Sequence, residues 1–414
     1  MDYFLDRNGE VYCEDLSLTD IAQQFGTPSY VYSLKTLRLH CQEFIKAFHS
    51  FPTLVCFAIK ANSTVGFIKE IFSQGLGADI VSGGELERCL VAGLAPSKIV
   101  FSGVGKLATE IARAIKVGIY CFNVESLEEL NTINRLAQSA GKRVNISLRI
   151  NPNIDALTHP KIATGLHSTK FGMGEEIVSQ IPTLFGSLSS LRLIGIACHI
   201  GSQIVDLAPI REAATRMGEL VGNIQAMGIQ LDFLGMGGGL GIRYHQESPP
   251  SISEYASILM KTAETCKISR LVVEPGRVIA GNAGILLSRV ISVKTNPLKQ
   301  FIILDASMSE LIRPALYDAY HEILPVLTRT GLPIESFDMV GPVCETGDCL
   351  GRDRKLVRPS ANDLYYIRSC GAYGSSMASN YNTRPRPAEV MVDGKIVREI
   401  KKREEFGDLL RLER

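Results

Sequence analysis

The chain has 414 residues, enough for two or three domains at roughly 150 residues each and for a large buried core, so no disulfide or metal staple is needed for stability. Lys and Arg number 44 against 43 Asp and Glu, a formal charge of +1, and the longest charged run is the short tail REIKKREEF at 398–406. That balance argues against nucleic acid or a charged membrane surface as the main partner. The opening MDYFLDRNGE has no basic and apolar leader pattern, and no apolar run reaches ~18 residues, so a soluble cytoplasmic protein is expected.

In chain order, YFLDRNGEVYCEDL at 3–16 reads as a hairpin around Asn8-Gly9. Between residues 54 and 274, eight short apolar, β-branched runs alternate with segments of helical period. The runs are LVCFAIK, GADIVS, KIVFSG, IYCFNVE, VNISLRINP, LIGIACHIGS, LDFLGMGGG and RLVVEPGR. SGGELERCLVAG is typical of the intervening helices, with Leu86, Cys89, Leu90 and Gly93 recurring every three or four residues. Such alternation gives a parallel sheet with crossover helices, and eight units match a (β/α)8 TIM-type barrel, typically ~250 residues. After about residue 280 the pattern changes to β-rich runs with turn residues, including the Asp393-Gly394 hairpin signal. The expected organisation is a barrel over residues 30–279 and a mostly antiparallel β domain over 280–414, completed by 1–29.

The ten cysteines are scattered, and most sit in apolar runs such as LVCFAIK and GIACHIG, where they read as small core residues. No C-x-x-C pair, H-E-x-x-H or His-rich tract has metal-ligand spacing, so no metal is expected.

Chemistry gathers where the eight runs end. The terminal polar residues are Lys60, Asp79 with Ser82, Ser102, Asn123, Arg149, His199, the glycines 237–239 and Glu274. In a barrel all C-terminal strand ends converge on one mouth, so these residues are expected to form one site. Each also has a plainer reading. Lys60 is an imine-forming amine or a surface lysine with a buried stem. GMGGGLG at 235–241 is a phosphate cradle or a tight turn. Glu274 pairs with a protonated ring nitrogen or with Arg277, and His199 lies against a flat cofactor or is a satisfied core histidine.

The ordered set FAIKAN, HIGSQ, GGGLG, EPGR, RPALYDAYHEI, CETGD and CGAYG resembles the fold-type III pyridoxal phosphate-dependent decarboxylases, which have an alanine racemase-like fold, over residues 30–389. The resemblance implies pyridoxal 5'-phosphate as cofactor, held by Lys60 as an imine, with Glu274 on the ring nitrogen and His199 against the ring. It places Ser202, Gly238, Gly239, the backbone from Glu274 through Pro275 and Gly276 to Arg277, and Tyr373 at the phosphate, and counts Asp79 among the cofactor contacts. Arg277, Arg313, Tyr317, Glu345 and Tyr373 are the implied substrate contacts, and Cys344 the implied proton donor. Cys344 and Glu345 are expected to reach the site of a partner subunit, which makes the active unit a homodimer.

A small-molecule substrate with a carboxylate and an ammonium at its far end suits Arg313 and Glu345, because a guanidinium forks onto a carboxylate and a carboxylate holds an amine. Diaminopimelate has that end, so its decarboxylation to L-lysine is the expected reaction. The neighbouring readings are decarboxylases of carboxynorspermidine, ornithine or arginine and, in another class, a non-catalytic pyridoxal phosphate carrier, which lacks a large C-terminal β domain. Ser307 and Ser309 in DASMSEL and Met236 in the glycine run depart from the family pattern.

Overall fold

The computed structural model describes residues 1–156, 158–166 and 168–413. It divides into two compact units, one of Met1–His40, Arg243–Glu247 and Ile279–Arg414, the other of Cys41–Ile242 and Ser248–Val278. No helix among the described residues is long and apolar enough to cross a membrane.

The second unit is a closed parallel barrel of eight strands. In order they are Thr53–Ala58, Gly77–Ile80, Ile99–Phe101, Cys121–Val124, Val144–Arg149, Leu191–Ala197, Phe233–Gly235 and Leu271–Val273, each within one of the eight runs except at Thr53, Leu191 and Arg192. The last closes on the first, with Val272 opposite Leu54. Cys56, Val100, Cys121, Ile194, Phe233 and Val272 form a packed cluster. Gly195 makes room for Phe233, whose ring would lie 2.8 Å from any Cβ at that position. Small thiols here fill space that a branched side chain would overfill.

A helix follows each of the first seven strands. Three start on one device. Ser82, Ser126 and Ser251 accept the N–H groups of Glu85, Glu129 and Glu254. Each glutamate turns back to a backbone N–H at or just before its cap. Ser82 is therefore a helix cap rather than a member of the mouth chemistry, which corrects its pairing with Asp79.

The first unit is built on a nine-stranded sheet. Its central strand Gly284–Thr295 pairs antiparallel with Gln300–Leu304, Leu364–Ile367 and Ser29–Ser33. Ala388–Asp393 joins Ser29–Ser33 in parallel and turns through Gly394 into Ile396–Lys401. The N-terminal hairpin pairs Arg7 with Glu10 across Asn8 and Gly9, whose φ of 57° and 86° are the left-handed values a two-residue turn requires. With Leu16–Ser17 it makes a separate three-stranded sheet.

The expected boundary at residue 30 moves to 40. All five residues of Ser29–Ser33 are buried and both its edges are hydrogen-bonded within the β sheet, so this strand belongs to the β unit. Ser29–Ser33 and the two-residue Leu16–Ser17 escaped the sequence reading as strands, and so did two strands later in the chain. Ile323–Pro325 is three residues long, and Cys349–Val357 carries Arg352, Asp353, Arg354 and Lys355 along a strand with few buried positions.

Candidate active site

The first barrel strand stops at Ala58, and a single 3₁₀ turn, Ile59–Ala61, buries its apolar neighbours while turning Lys60 out. The Lys60 Nζ lies 3.3 Å from Oδ2 of Asp79, on the adjacent strand. Asp79 is fully buried, and its Oδ1 accepts no hydrogen bond among the described residues. A buried carboxylate oxygen left so is costly unless a bound group supplies a donor.

Glu274 follows the eighth strand directly. Its Oε1 accepts from Asn123 Nδ2 at 3.2 Å, the same amide donates to Ser102 Oγ at 3.0 Å, and Asn123 Oδ1 accepts the Ser147 hydroxyl. Residues at four strands are thereby tied in one chain. Burial, reinforced by the negative charge of Asp79, pushes the Glu274 carboxyl up to about 8, while Lys60, Arg149 and the Asn123 bond pull against it. Arg149 itself pairs with Glu125 at 2.7 Å, and Glu125 also accepts the Gly103 and Gly172 N–H groups.

His199 Nδ1 accepts the Gly238 N–H at 3.3 Å, so the ring proton sits on Nε2. Burial and the positive charges of Lys60 and Arg149 push its pKa well below the usual value and keep it neutral. The glycine run is held in a conformation that excludes side chains. A Cβ at Gly238 would stand 2.2 Å from the Glu274 carbonyl oxygen, and one at Gly239, where φ is 102°, 2.3 Å from that of Gly201. Arg277 Nη2 and Nε donate to Ser202 Oγ at 3.0 and 3.3 Å, so the guanidinium turns to the serine. Pro275 accepts the Ala58 N–H at 2.9 Å, locking the eighth exit onto the first strand.

The barrel thus brings together Lys60, Asp79, His199, Ser202, Gly238, Gly239 and the stretch from Glu274 through Pro275 and Gly276 to Arg277. These residues fit pyridoxal 5'-phosphate: a backbone cradle with an arginine and a hydroxyl for a phosphate, an enclosed carboxyl for a ring nitrogen, an amine for an aldehyde, and an orphaned aspartate oxygen.

The remaining candidates lie in the β unit. Arg313, 6% exposed, opens the helix Arg313–Tyr317, with Pro314 in its first turn and a half-buried Tyr317 at its end. Ser307, one of the departures, gives the approach to it a defined form. Its hydroxyl and N–H donate to Glu310 Oε2 at 2.7 and 2.8 Å, and its Oγ accepts the Ser309 N–H at 3.0 Å.

Cys344 is the exposed cysteine of the ten, and its N–H donates to Asn382 Oδ1 at 2.7 Å. The loop behind it wraps the buried Asp348 carboxylate, which accepts from Met308 and Val343. Tyr381, beside Asn382, is hydrogen-bonded to Glu345, which raises the tyrosine pKa. Tyr373 has φ 55°, a left-handed conformation that an aromatic residue adopts only under constraint.

Among the residues that escaped the sequence reading are Glu125 and Asn382 of these networks, and His321 and Tyr244, which pack on Arg313, with His321 Nε2 2.7 Å from Nη1 and the Tyr244 ring 4.6 Å from Cζ. Glu125 ends the run IYCFNVE and His321 lies in the quoted RPALYDAYHEI, so both carried a positional signal. Tyr244 and Asn382 carried none, since each acts through a contact distant in sequence.

Residues 34–281, which include all eight strand exits, match the family model for the pyridoxal-dependent decarboxylase, pyridoxal binding domain. The chain belongs to the pyridoxal-dependent decarboxylases. Within that class it is 49% identical to a diaminopimelate decarboxylase of Vibrio cholerae, over 100% of this chain and 99% of the relative. Among solved structures, diaminopimelate decarboxylase of Helicobacter pylori in complex with L-lysine matches with a TM-score of 0.92 and 40% identity, covering 95% of this chain and 98% of that one. The M. jannaschii diaminopimelate decarboxylase with L-lysine matches with a TM-score of 0.94 and 34% identity, covering 100% of this chain and 98% of that one.

Proposed function

We propose that this chain catalyses the pyridoxal 5'-phosphate-dependent decarboxylation of meso-2,6-diaminopimelate to L-lysine and CO2. The observation that carries the reading is the barrel mouth, where the amine of Lys60 stands at Asp79 and the enclosed carboxyl of Glu274 has a pKa raised to about 8. Full-length similarity to diaminopimelate decarboxylases supports the substrate.

When bound, the cofactor supplies a sink for the electron pair released as the Cα–carboxylate bond breaks. Lys60 is the nucleophilic amine that would anchor it through its aldehyde carbon. Glu274 would hold a proton at the ring nitrogen, and His199, kept neutral by burial, would add no charge beside the ring. Gly238, Gly239, Ser202, the backbone through Pro275 and Gly276, Arg277 and Tyr373 bind the phosphate, and Asp79 neutralises positive charge at the anchoring amine.

Arg313 takes the distal carboxylate and Glu345 the distal ammonium, with Tyr317, Arg277 and Tyr373 completing the substrate contacts. CO2 leaves, and Cys344 delivers a proton to the same carbon. We further propose that Cys344 and Glu345 serve the site of a partner subunit in a homodimer, that the barrel unit of Cys41–Ile242 and Ser248–Val278 holds the cofactor, and that the enzyme works in the cytoplasm.

The test is to incubate the cofactor-loaded protein with meso-2,6-diaminopimelate and analyse the product on a chiral column. L-Lysine and CO2 in equal amounts are expected. Release of CO2 from ornithine or arginine, with none from diaminopimelate, would overturn the substrate assignment and leave the family unchanged.

A further inference from the structure

Arg313 is a buried cation whose direction must be set by its neighbours, because a guanidinium taken out of water needs both charge compensation and fixed acceptors. Its Nη1 lies 2.7 Å from His321 Nε2, and its Cζ lies 4.6 Å above the ring of Tyr244. Since arginine only donates, His321 Nε2 is the acceptor. The proton of the neutral ring is then on Nδ1, which faces the Arg368 carbonyl oxygen at 2.7 Å. His321 is 0% exposed.

The segment that carries the histidine is itself held at three points. Tyr244 meets it edge-on, with ring centroids 5.1 Å apart. The neighbouring pair His245 and Tyr320 stack at 4.2 Å, so two consecutive residues of one segment clasp two of another. Arg354 donates to the His321 carbonyl at 2.9 Å while its guanidinium covers the outer face of this clasp, 4.0 Å from the Tyr320 ring centroid.

We propose that His321 and Tyr244 are positioning residues that preset the Arg313 guanidinium for the substrate's distal carboxylate. This rests on the reading of Arg313 given above. A protonated His321 would turn donor against donor, so the neutral tautomer fixed by the Arg368 carbonyl is part of the device. Tyr244 adds a ring face that attracts the cation and fixes the plane of the guanidinium, the geometry on which two-point binding of a planar carboxylate depends.

The test compares two competitive inhibitors on the loaded enzyme: L-lysine, which keeps a carboxylate, and 1,5-diaminopentane, which keeps both amines and has none. In His321→Leu the KM for diaminopimelate and the Ki for L-lysine should each rise at least about tenfold, the loss of one hydrogen bond to a charged group. The Ki for 1,5-diaminopentane should stay within about twofold and kcat within about threefold.

His321→Gln, which keeps an acceptor within reach of Arg313, should restore L-lysine binding to within about threefold of the parent. Tyr244→Leu should weaken L-lysine binding several-fold and Tyr244→Phe should not. These variants carry the test if His321→Leu does not fold. In an Arg313→Ala background, His321→Leu should have no further effect on L-lysine binding.

Equal losses for both inhibitors, or a full additional loss in the Arg313→Ala background, would reduce His321 to a scaffold residue and overturn the proposal. So would an unchanged L-lysine Ki in His321→Leu while Arg313→Ala raises it. If Arg313→Ala itself leaves L-lysine binding unchanged, the reading of Arg313 fails first and takes the proposal with it.

Discussion

In the barrel mouth each chemical group stands on or just past the end of a strand, and its partners are the ends of other strands, adjacent for Lys60 and Asp79 and across the barrel for Glu274 and Asn123. In the β unit, Cys344 and Glu345 stand in a loop, and what holds them is side chains of another loop: Asn382 for Cys344, Tyr381 for Glu345. The contrast separates two tasks. Holding a cofactor needs rigid convergence, which a closed barrel supplies through its topology. Choosing a substrate needs groups that can be exchanged without disturbing a core, and turns on a sheet supply those.

The sharpest way to break this division is at Lys60. Lys60→Ala should abolish the visible absorbance of the bound cofactor and lower turnover by several orders of magnitude, because no other amine stands at Asp79 in the described network. The apolar neighbours Ile59 and Ala61 remain buried, so the thermal midpoint should change little by comparison. A variant that decarboxylates at the parent rate would remove the barrel from the chemistry.

The β unit is tested by a pair of cysteines five residues apart. Cys344 is exposed, whereas Cys349 begins a strand and burial raises its pKa. Cys344→Ala should lower kcat about 100-fold, the scale of a lost general acid, and Cys349→Ala no more than about twofold. Both losses should be read from the rate of proton uptake into L-lysine in deuterated solvent. Equal effects would remove the proton-donor role from Cys344 and point to a general disturbance of the loop.

The same division explains what could be read in advance. All eight barrel strands and most of the mouth were legible, because a parallel strand buried on both faces reads as a near-continuous apolar run and the polar residues of the mouth fall at or near its C-terminal end. Glu274 and His199 could be named because one follows VV and the other follows IAC. The β unit was legible as a class but not in detail. Ser29–Ser33 lies some 250 residues from its partner strand Gly284–Thr295, and nothing in SYVYS says which sheet it joins. Cys349–Val357 was obscured by its charges. Arg313, Glu345 and Tyr373 could be named only through the family resemblance, since each depends on contacts that no local pattern encodes. Ser82 failed the other way: a serine after a strand is as often a helix cap, and Glu85 three residues later was the signal for it.

The smallest effect expected is on stability, and it isolates Glu274 from its neighbours. Its carboxyl is raised from an ordinary 4.5 to about 8. Between those values the native cofactor-free protein keeps a proton that the unfolded chain has lost, so stability falls as pH rises, by up to about 1.4 kcal/mol per pH unit. The contribution is fully present below pH 4.5 and is gone once pH has passed about 8. Glu85, pushed up to about 7 by burial, adds a slope of the same sign, but it is unchanged in a Glu274 variant and cancels in the comparison. In cofactor-free Glu274→Gln, the thermal midpoint should therefore fall less between pH 5 and pH 8 than in the parent, even as turnover of the loaded variant collapses. Loading the parent with cofactor should flatten its slope in the same direction, because a protonated ring nitrogen favours the ionised carboxyl and draws the titration out of this window. Parallel slopes in the parent and the variant would mean that the proton at the mouth belongs to another group, and Glu274 would lose its place opposite the ring nitrogen.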